Sequence, residues 1–162
     1  MALQLRRLSH ALGAEVGGVD ITRPMSEGEF GEIYRAFLGH GILLLRSQQC
    51  TREQHIEFSR RFGELDRHEA LPRDRHPDYP EILMVTNARK ADGSAGDGAY
   101  TGRQWHSDMS FTTRPSLGSL LRAHAIPEVG GDTLFANMTM AYEALSAGMQ
   151  KLIADLHGIH MA

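Results

Sequence analysis

Trp105-His106-Ser107-Asp108-Met109-Ser110-Phe111, followed downstream by Gly130-Gly131-Asp132-Thr133-Leu134-Phe135, is the part of this chain whose reading decides its fold. His106 and Asp108 are alternate residues, and on an extended backbone alternate side chains project to the same side. One imidazole and one carboxylate so placed can grip a single metal ion. Two histidines and one carboxylate with open positions left over is the donor pattern of non-haem Fe(II) oxygenases. A bare His-x-Asp spacing is common and usually marks an ordinary polar pair, so the surrounding sequence has to decide.

Length and composition bound what surrounds the frame. At 162 residues the chain suits one domain or part of a larger one, with enough core to fold without staples. Apolar content of 41%, charged content of 23% and a formal net charge of −3 point to neither nucleic acid nor an anionic membrane. The lone Cys50 excludes an internal disulfide and a cysteine-rich zinc site, so a reducing cytoplasm is the expected location. No sustained apolar stretch follows Arg6 and Arg7 as a secretory leader would require, and no run is long enough to span a bilayer.

Upstream of the frame, Ser26 and Glu29 have the spacing of a capping box. Phe30, Ile33, Tyr34, Phe37 and Leu38 follow on one helical face, with Gly39 and Gly41 to end it. Ile42-Leu43-Leu44-Leu45 reads as a short buried strand. Thr51 and Gln54 repeat the capping signature for a second helix through Ile56, Ser59, Arg60 and Phe62, capped by Gly63. The proline-rich stretch from Leu71 to Pro80 reads as loop and Ile82 to Thr86 as a strand. Between Asn87 and Tyr100, Gly93, Gly96, Asp97 and Gly98 mark a surface loop entering the frame, with gating as the sharper alternative. Leu117 to Ile126 and Thr133 to Ala136 read as antiparallel strands, joined by a turn in which Gly130 and Gly131 supply positive φ. Ala141 to Leu145 and Met149 to Leu156 read as a helix pair, with Ser146 as a cap. The coarse picture is strands with helices packed outside them.

The frame from Trp105 to Phe111, the Gly130-Gly131-Asp132-Thr133-Leu134-Phe135 stretch and Ala141-Tyr142-Glu143-Ala144-Leu145 together resemble the TauD/TfdA family of 2-oxoglutarate-dependent dioxygenases. Gly13 to Asp20, Thr22-Arg23-Pro24 and Arg61-Phe62-Gly63-Glu64-Leu65 are similar to that family's N-terminal half, in order and at compatible spacing. The resemblance implies a mainly β fold with flanking helices, a double-stranded β-helix or jelly roll, with residues 1–162 as the N-terminal part of one such domain. It implies that His106 and Asp108 hold Fe(II) and that Thr133 hydrogen-bonds a carboxylate of 2-oxoglutarate. A threonine on a strand is stiff at χ1 and aims one hydroxyl reliably, which suits that task. The implied reaction consumes dioxygen, converts 2-oxoglutarate to succinate and carbon dioxide, and hydroxylates a small organic acid. Trp105 reads as packing beside the metal rather than as a chemical participant.

In the family a distal histidine and an arginine for the far carboxylate of 2-oxoglutarate lie in the C-terminal half, beyond the stretch that matches here. The chain is therefore read as truncated and catalytically poor alone, with exposed sheet edges that leave self-association open. His124, His157 and His160 are local histidines, but a facial site needs a ligand placed by the folded sheet. For the substrate, His68 matches a substrate-facing histidine, while Leu71 and Gly102 stand where taurine-oxidising members carry a Tyr and an Asn. Met109 and Phe111 add apolar wall. A polar head group needs paired hydrogen bonds, so an aryloxyalkanoate or sulfate ester is at least as well suited as a sulfonate. Two other classes compete: a non-catalytic jelly-roll remnant serving as a binding or assembly module, and a zinc hydrolase. The second lacks a His-Glu-x-x-His or cysteine cluster.

Overall fold

The computed structural model describes residues 3–69, 74–88, 91–94 and 102–160. Two compact units emerge, Met1–Phe62 with Arg122–Gly158, and Gly63–Leu121 with Ile159–Ala162.

The first unit opens with β1 (Gln4–Arg7) and β2 (Ala14–Gly17), paired antiparallel with Arg6 opposite Glu15. Opposite charges at facing positions favour that register. The Arg6 guanidinium, and then that of Arg46, hold the Glu15 carboxyl below its ordinary range. At the turn, Leu8 donates its N–H to the Gly13 carbonyl, and Gly13 takes a φ of 89° that only glycine adopts freely.

Helix α1 (Glu27–His40) starts as the sequence predicts: the Ser26 hydroxyl accepts the Glu29 N–H, and the Glu29 carboxylate accepts the Ser26 N–H. Its end is also as expected, with Gly41 at φ 70° donating its N–H to the Phe37 carbonyl. Phe30, Ile33 and Ala36 are buried, whereas Leu38, expected on the same face, is 61% exposed. At 100° per residue Leu38 lies one step beyond the stripe that Phe30, Ile33 and Phe37 define. The helix leads into β3 (Leu43–Leu44), the core of the predicted Ile42–Leu45 strand, which runs parallel to β2 in a sheet ordered β1-β2-β3.

Helix α2 (Arg52–Arg60) carries the second predicted capping box, Thr51 with Gln54, and buries Ile56, Phe58 and Ser59. It ends at Arg60 rather than at Gly63: Arg61 and Phe62 donate their N–H groups to the Phe58 and Ser59 carbonyls in a tighter last turn. That turn sends Phe62 into a ring cluster with Phe30, Tyr34, Phe37 and Phe58, its ring centroid 4.9 Å from that of Phe30. Arg61 lies over the Phe30 ring at 4.5 Å and donates to the Met25 carbonyl, tying α2 to the segment before α1. Gln48 and Gln54 extend the tie, bonding the backbone of Val19, Ile21 and Thr22.

Further along, α3 (Met138–Glu143) is capped by Asn137, whose Oδ1 accepts the Met140 N–H and whose Nδ2 donates to the distant Ala11 carbonyl. Helix α4 (Ala147–Ile153) is capped by Ser146, the predicted residue. The helix pair thus lies slightly N-terminal of the predicted ranges.

Three predicted strands do not form. Thr133 to Ala136 and Leu117 to Ile126 join no ladder, and Ile82 to Thr86 contributes one isolated bridge, Leu83 with Arg75. The physical reason is the absence of partners: a strand gains its hydrogen bonds from a neighbour and its burial from a facing layer. Here Leu117, Leu121, Ile126, Leu134 and Phe135 are all exposed. Among the described residues helix outweighs strand, and these elements do not by themselves make a double-stranded β-helix. The second unit is held by turns and short-range bonds, including those of His76 with Ile82 and Met84 with Asp74.

Candidate metal centre

His106 and Asp108 lie in the second unit, outside any sheet. Even without a ladder the alternate-residue geometry holds, because the Nε2 of His106 stands 3.4 Å from the Oδ1 of Asp108. The remaining polar atoms of the pair are engaged elsewhere. Nδ1 of His106 is 2.8 Å from the Gln104 carbonyl, which can only accept, so Nδ1 is the donor in that bond and Nε2 is the ring nitrogen turned toward Asp108. The Ser119 hydroxyl donates to Oδ2 of Asp108 at 2.8 Å. Nε2 and Oδ1 are left facing each other, a geometry that a proton on the ring satisfies as an ion pair and that a metal ion satisfies when Nε2 is unprotonated.

The chain turns sharply just after Asp108. Met109 adopts φ 56°, a left-handed conformation rare for such a side chain, and its carbonyl accepts both the N–H and the hydroxyl of Thr112. Met109 and Phe111 are half-buried. Trp105 departs from expectation: at 71% exposed it packs against little, so the structure gives it no wall role.

The other predicted residues fall as follows. Thr133 is exposed and belongs to the first unit. Gly130 and Gly131 before it take φ of 80° and 73°, as the predicted turn requires. A Cβ on Gly131 would sit 3.2 Å from the Pro127 ring, so close approach adds a second reason for glycine there. His68 also has positive φ, its Nε2 meets the Glu81 carbonyl at 3.2 Å, and its buried Nδ1 has no hydrogen-bond partner. Leu71 lies outside the described residues, as does most of the glycine-rich loop expected between Asn87 and Tyr100. Gly102 has φ 74°, a conformation that glycine adopts freely.

His124 and His157 are exposed, and His160 shares a 3.0 Å hydrogen bond with the Ser110 hydroxyl. Among the described residues no three His, Cys, Asp or Glu side chains gather as a metal site. Sequence reasoning missed Ser119 and the Gln104 carbonyl. No motif signals a serine eleven residues beyond Asp108, and a backbone carbonyl leaves no trace in residue type. A hollow of about 380 Å³ in the first unit, lined in part by Asp20, Arg23 and Glu29, contains none of the predicted site residues. No helix among the described residues is long and apolar enough to cross a membrane.

Comparison with known proteins matches this arrangement of motifs. The chain is 31% identical to an alkylsulfatase of Acinetobacter baylyi over 98% of its own length and 47% of that protein's. It is 29% identical to the alpha-ketoglutarate-dependent 2,4-dichlorophenoxyacetate dioxygenase of Cupriavidus pinatubonensis, over 100% of the chain and 59% of that protein. A solved taurine dioxygenase from Burkholderia xenovorans superposes with a TM-score of 0.82 and 34% identity, covering 98% of this chain and 53% of that one. The chain thus spans about half the length of the relatives it matches. The family described as taurine catabolism dioxygenase TauD, TfdA matches residues 4–162, nearly the whole sequence, and the chain belongs to that family of 2-oxoglutarate-dependent dioxygenases.

Proposed function

We propose that this chain is the N-terminal part of an Fe(II)- and 2-oxoglutarate-dependent dioxygenase domain, a double-stranded β-helix when complete, acting on a small organic acid. The observation that carries the reading is the approach of Nε2 of His106 to Oδ1 of Asp108, 3.4 Å apart. Two donors each about 2.1 Å from one ion stand about 3 Å apart at right angles, so the pair fits two adjacent positions of a single metal. Nitrogen and carboxylate oxygen are the donor types that iron takes in such oxygenases.

His106 and Asp108 would hold the iron, and the Thr133 hydroxyl would donate to a carboxylate of 2-oxoglutarate. Bound there, iron and 2-oxoglutarate supply dioxygen activation, with succinate and carbon dioxide as co-products. The residues of this chain bind and orient. Gln104 fixes the His106 tautomer through its carbonyl, and the half-buried Met109 and Phe111 offer an apolar wall. His68 presents an unpartnered, buried Nδ1, an acceptor awaiting a donor or, once protonated, a donor for an anionic head group. With Leu71 and Gly102 in place of two hydrogen-bonding groups, we assign an aryloxyalkanoate or sulfate ester ahead of taurine itself, within a class that includes sulfonates.

The third metal ligand and the arginine for 2-oxoglutarate are, in this reading, carried by sequence corresponding to the half of the relatives that this chain does not match. A second reading, a non-catalytic binding or assembly module, is favoured by one observation: no third donor joins the pair among the described residues. Assay of succinate release with Fe(II), ascorbate, 2-oxoglutarate and each substrate class separates them. The expected outcome is turnover that is slow and depends on His106 and Asp108. Turnover equal to that of a full-length relative would overturn the incomplete site, and none at all, with no metal binding, would favour the module.

A further inference from the structure

We infer that Ser119 is a positioning residue for the metal-binding carboxylate: its hydroxyl holds Asp108 by Oδ2, leaving Oδ1 free for the ion beside His106 Nε2. This rests on the metal reading proposed above. An exposed aspartate ordinarily samples several rotamers, and its two oxygens are interchangeable by rotation of the carboxyl group. Asp108 is 59% exposed, so packing does not select its orientation. The Ser119 hydroxyl does, at 2.8 Å from Oδ2. A hydroxyl that donates to one carboxylate oxygen discourages that oxygen from bonding a metal and fixes the plane in which the other presents its lone pairs.

A turn that begins at Met109 lies between the two residues. Met109 has a φ of 56° and its carbonyl accepts both the N–H and the hydroxyl of Thr112, and beyond this turn Ser119, eleven positions on from Asp108, meets its carboxylate. On the histidine side the Gln104 carbonyl performs the equivalent task at Nδ1. Each ligand has one polar atom tied back to the protein and one directed at its partner, which is how outer hydrogen bonds tune a metal site.

The test is Mn(II) binding by the full 162-residue chain, read as loss of the free-ion electron paramagnetic resonance signal, for the parent, Ser119→Ala, Ser119→Thr and Asp108→Ala. Circular dichroism checks that each variant is folded. Ser119→Ala should weaken Mn(II) binding about tenfold, at the lower end for outer-shell partners because the site is exposed. Ser119→Thr keeps a hydroxyl and should restore the parent affinity. Parent-like binding by Ser119→Ala, with binding abolished in Asp108→Ala, would overturn the role of Ser119 and leave the metal reading standing. Equal loss in the Ala and Thr variants would also overturn it, since the hydroxyl is present in one of them. A parent chain with no affinity for Mn(II) would overturn both.

Discussion

Nε2 of His106 and Oδ1 of Asp108 stand 3.4 Å apart, and their nearness was legible because alternate residues can project to one side. The hydrogen bonds that fix it were not. Ser119 lies eleven positions beyond Asp108, past a turn at the left-handed Met109, and residue type does not announce such a conformation in methionine. His68 is an intermediate case: its position suggested a ligand contact, but only the structure shows that Nε2 is occupied and Nδ1 is buried without a partner. A second left-handed residue gives a clean prediction at this scale. Ser47 has φ 56° and is exposed, with no packing to lose. Ser47→Gly should raise stability by about 0.5–1 kcal/mol in urea denaturation, because glycine relieves the Cβ clash and offsets it only in part by unfolded-state entropy. A decrease would show that the serine side chain makes a contribution its surroundings do not reveal.

The helices behave differently from the strands. Both capping boxes, at Ser26 with Glu29 and at Thr51 with Gln54, and the Ser146 cap are where the sequence places them, since a cap is settled within four residues. Ser26→Ala should cost about 1 kcal/mol of unfolding free energy. The Ser26 hydroxyl, and then its backbone N–H, hold the Glu29 carboxyl below its ordinary range. A folded-state pKa lowered in this way contributes stability that is fully present above the unfolded pKa and is lost as pH falls through the folded one. The difference between parent and Ser26→Ala should therefore narrow on acidification below the ordinary glutamate range. A gap that widened would contradict the capping assignment. Truncating Phe30, which meets the rings of Tyr34, Phe58 and Phe62, should cost about 3 kcal/mol, within the range for large-to-small core changes. Strands such as Leu117 to Ile126 were misread because apolar alternation shows what a segment is suited to, while the ladder depends on partners far away in sequence.

For the molecule as a whole, apolar side chains are distributed unevenly. In the first unit, Ala14, Val16, Ile33 and Ala36 form a buried centre, yet Val129, Leu134, Met138, Leu152 and Leu156 of the same unit are exposed. Exposed apolar surface on this scale promotes association. Sedimentation at rising concentration should show self-association of the 162-residue chain, and a strictly monomeric chain at high concentration would count against it. The family assignment itself was readable from motifs in register, because they are short, ordered and local, whereas the remainder of the iron site depends on residues that this stretch does not gather. The central claim is that His106 and Asp108 hold iron with 2-oxoglutarate beside it. Its most direct test is anaerobic titration of the chain with Fe(II) at saturating 2-oxoglutarate, followed by visible metal-to-ligand charge-transfer absorption. A band should grow with Fe(II) and disappear in both His106→Ala and Asp108→Ala. A band that persists unchanged in those variants, or a folded parent chain that never shows one, would contradict it.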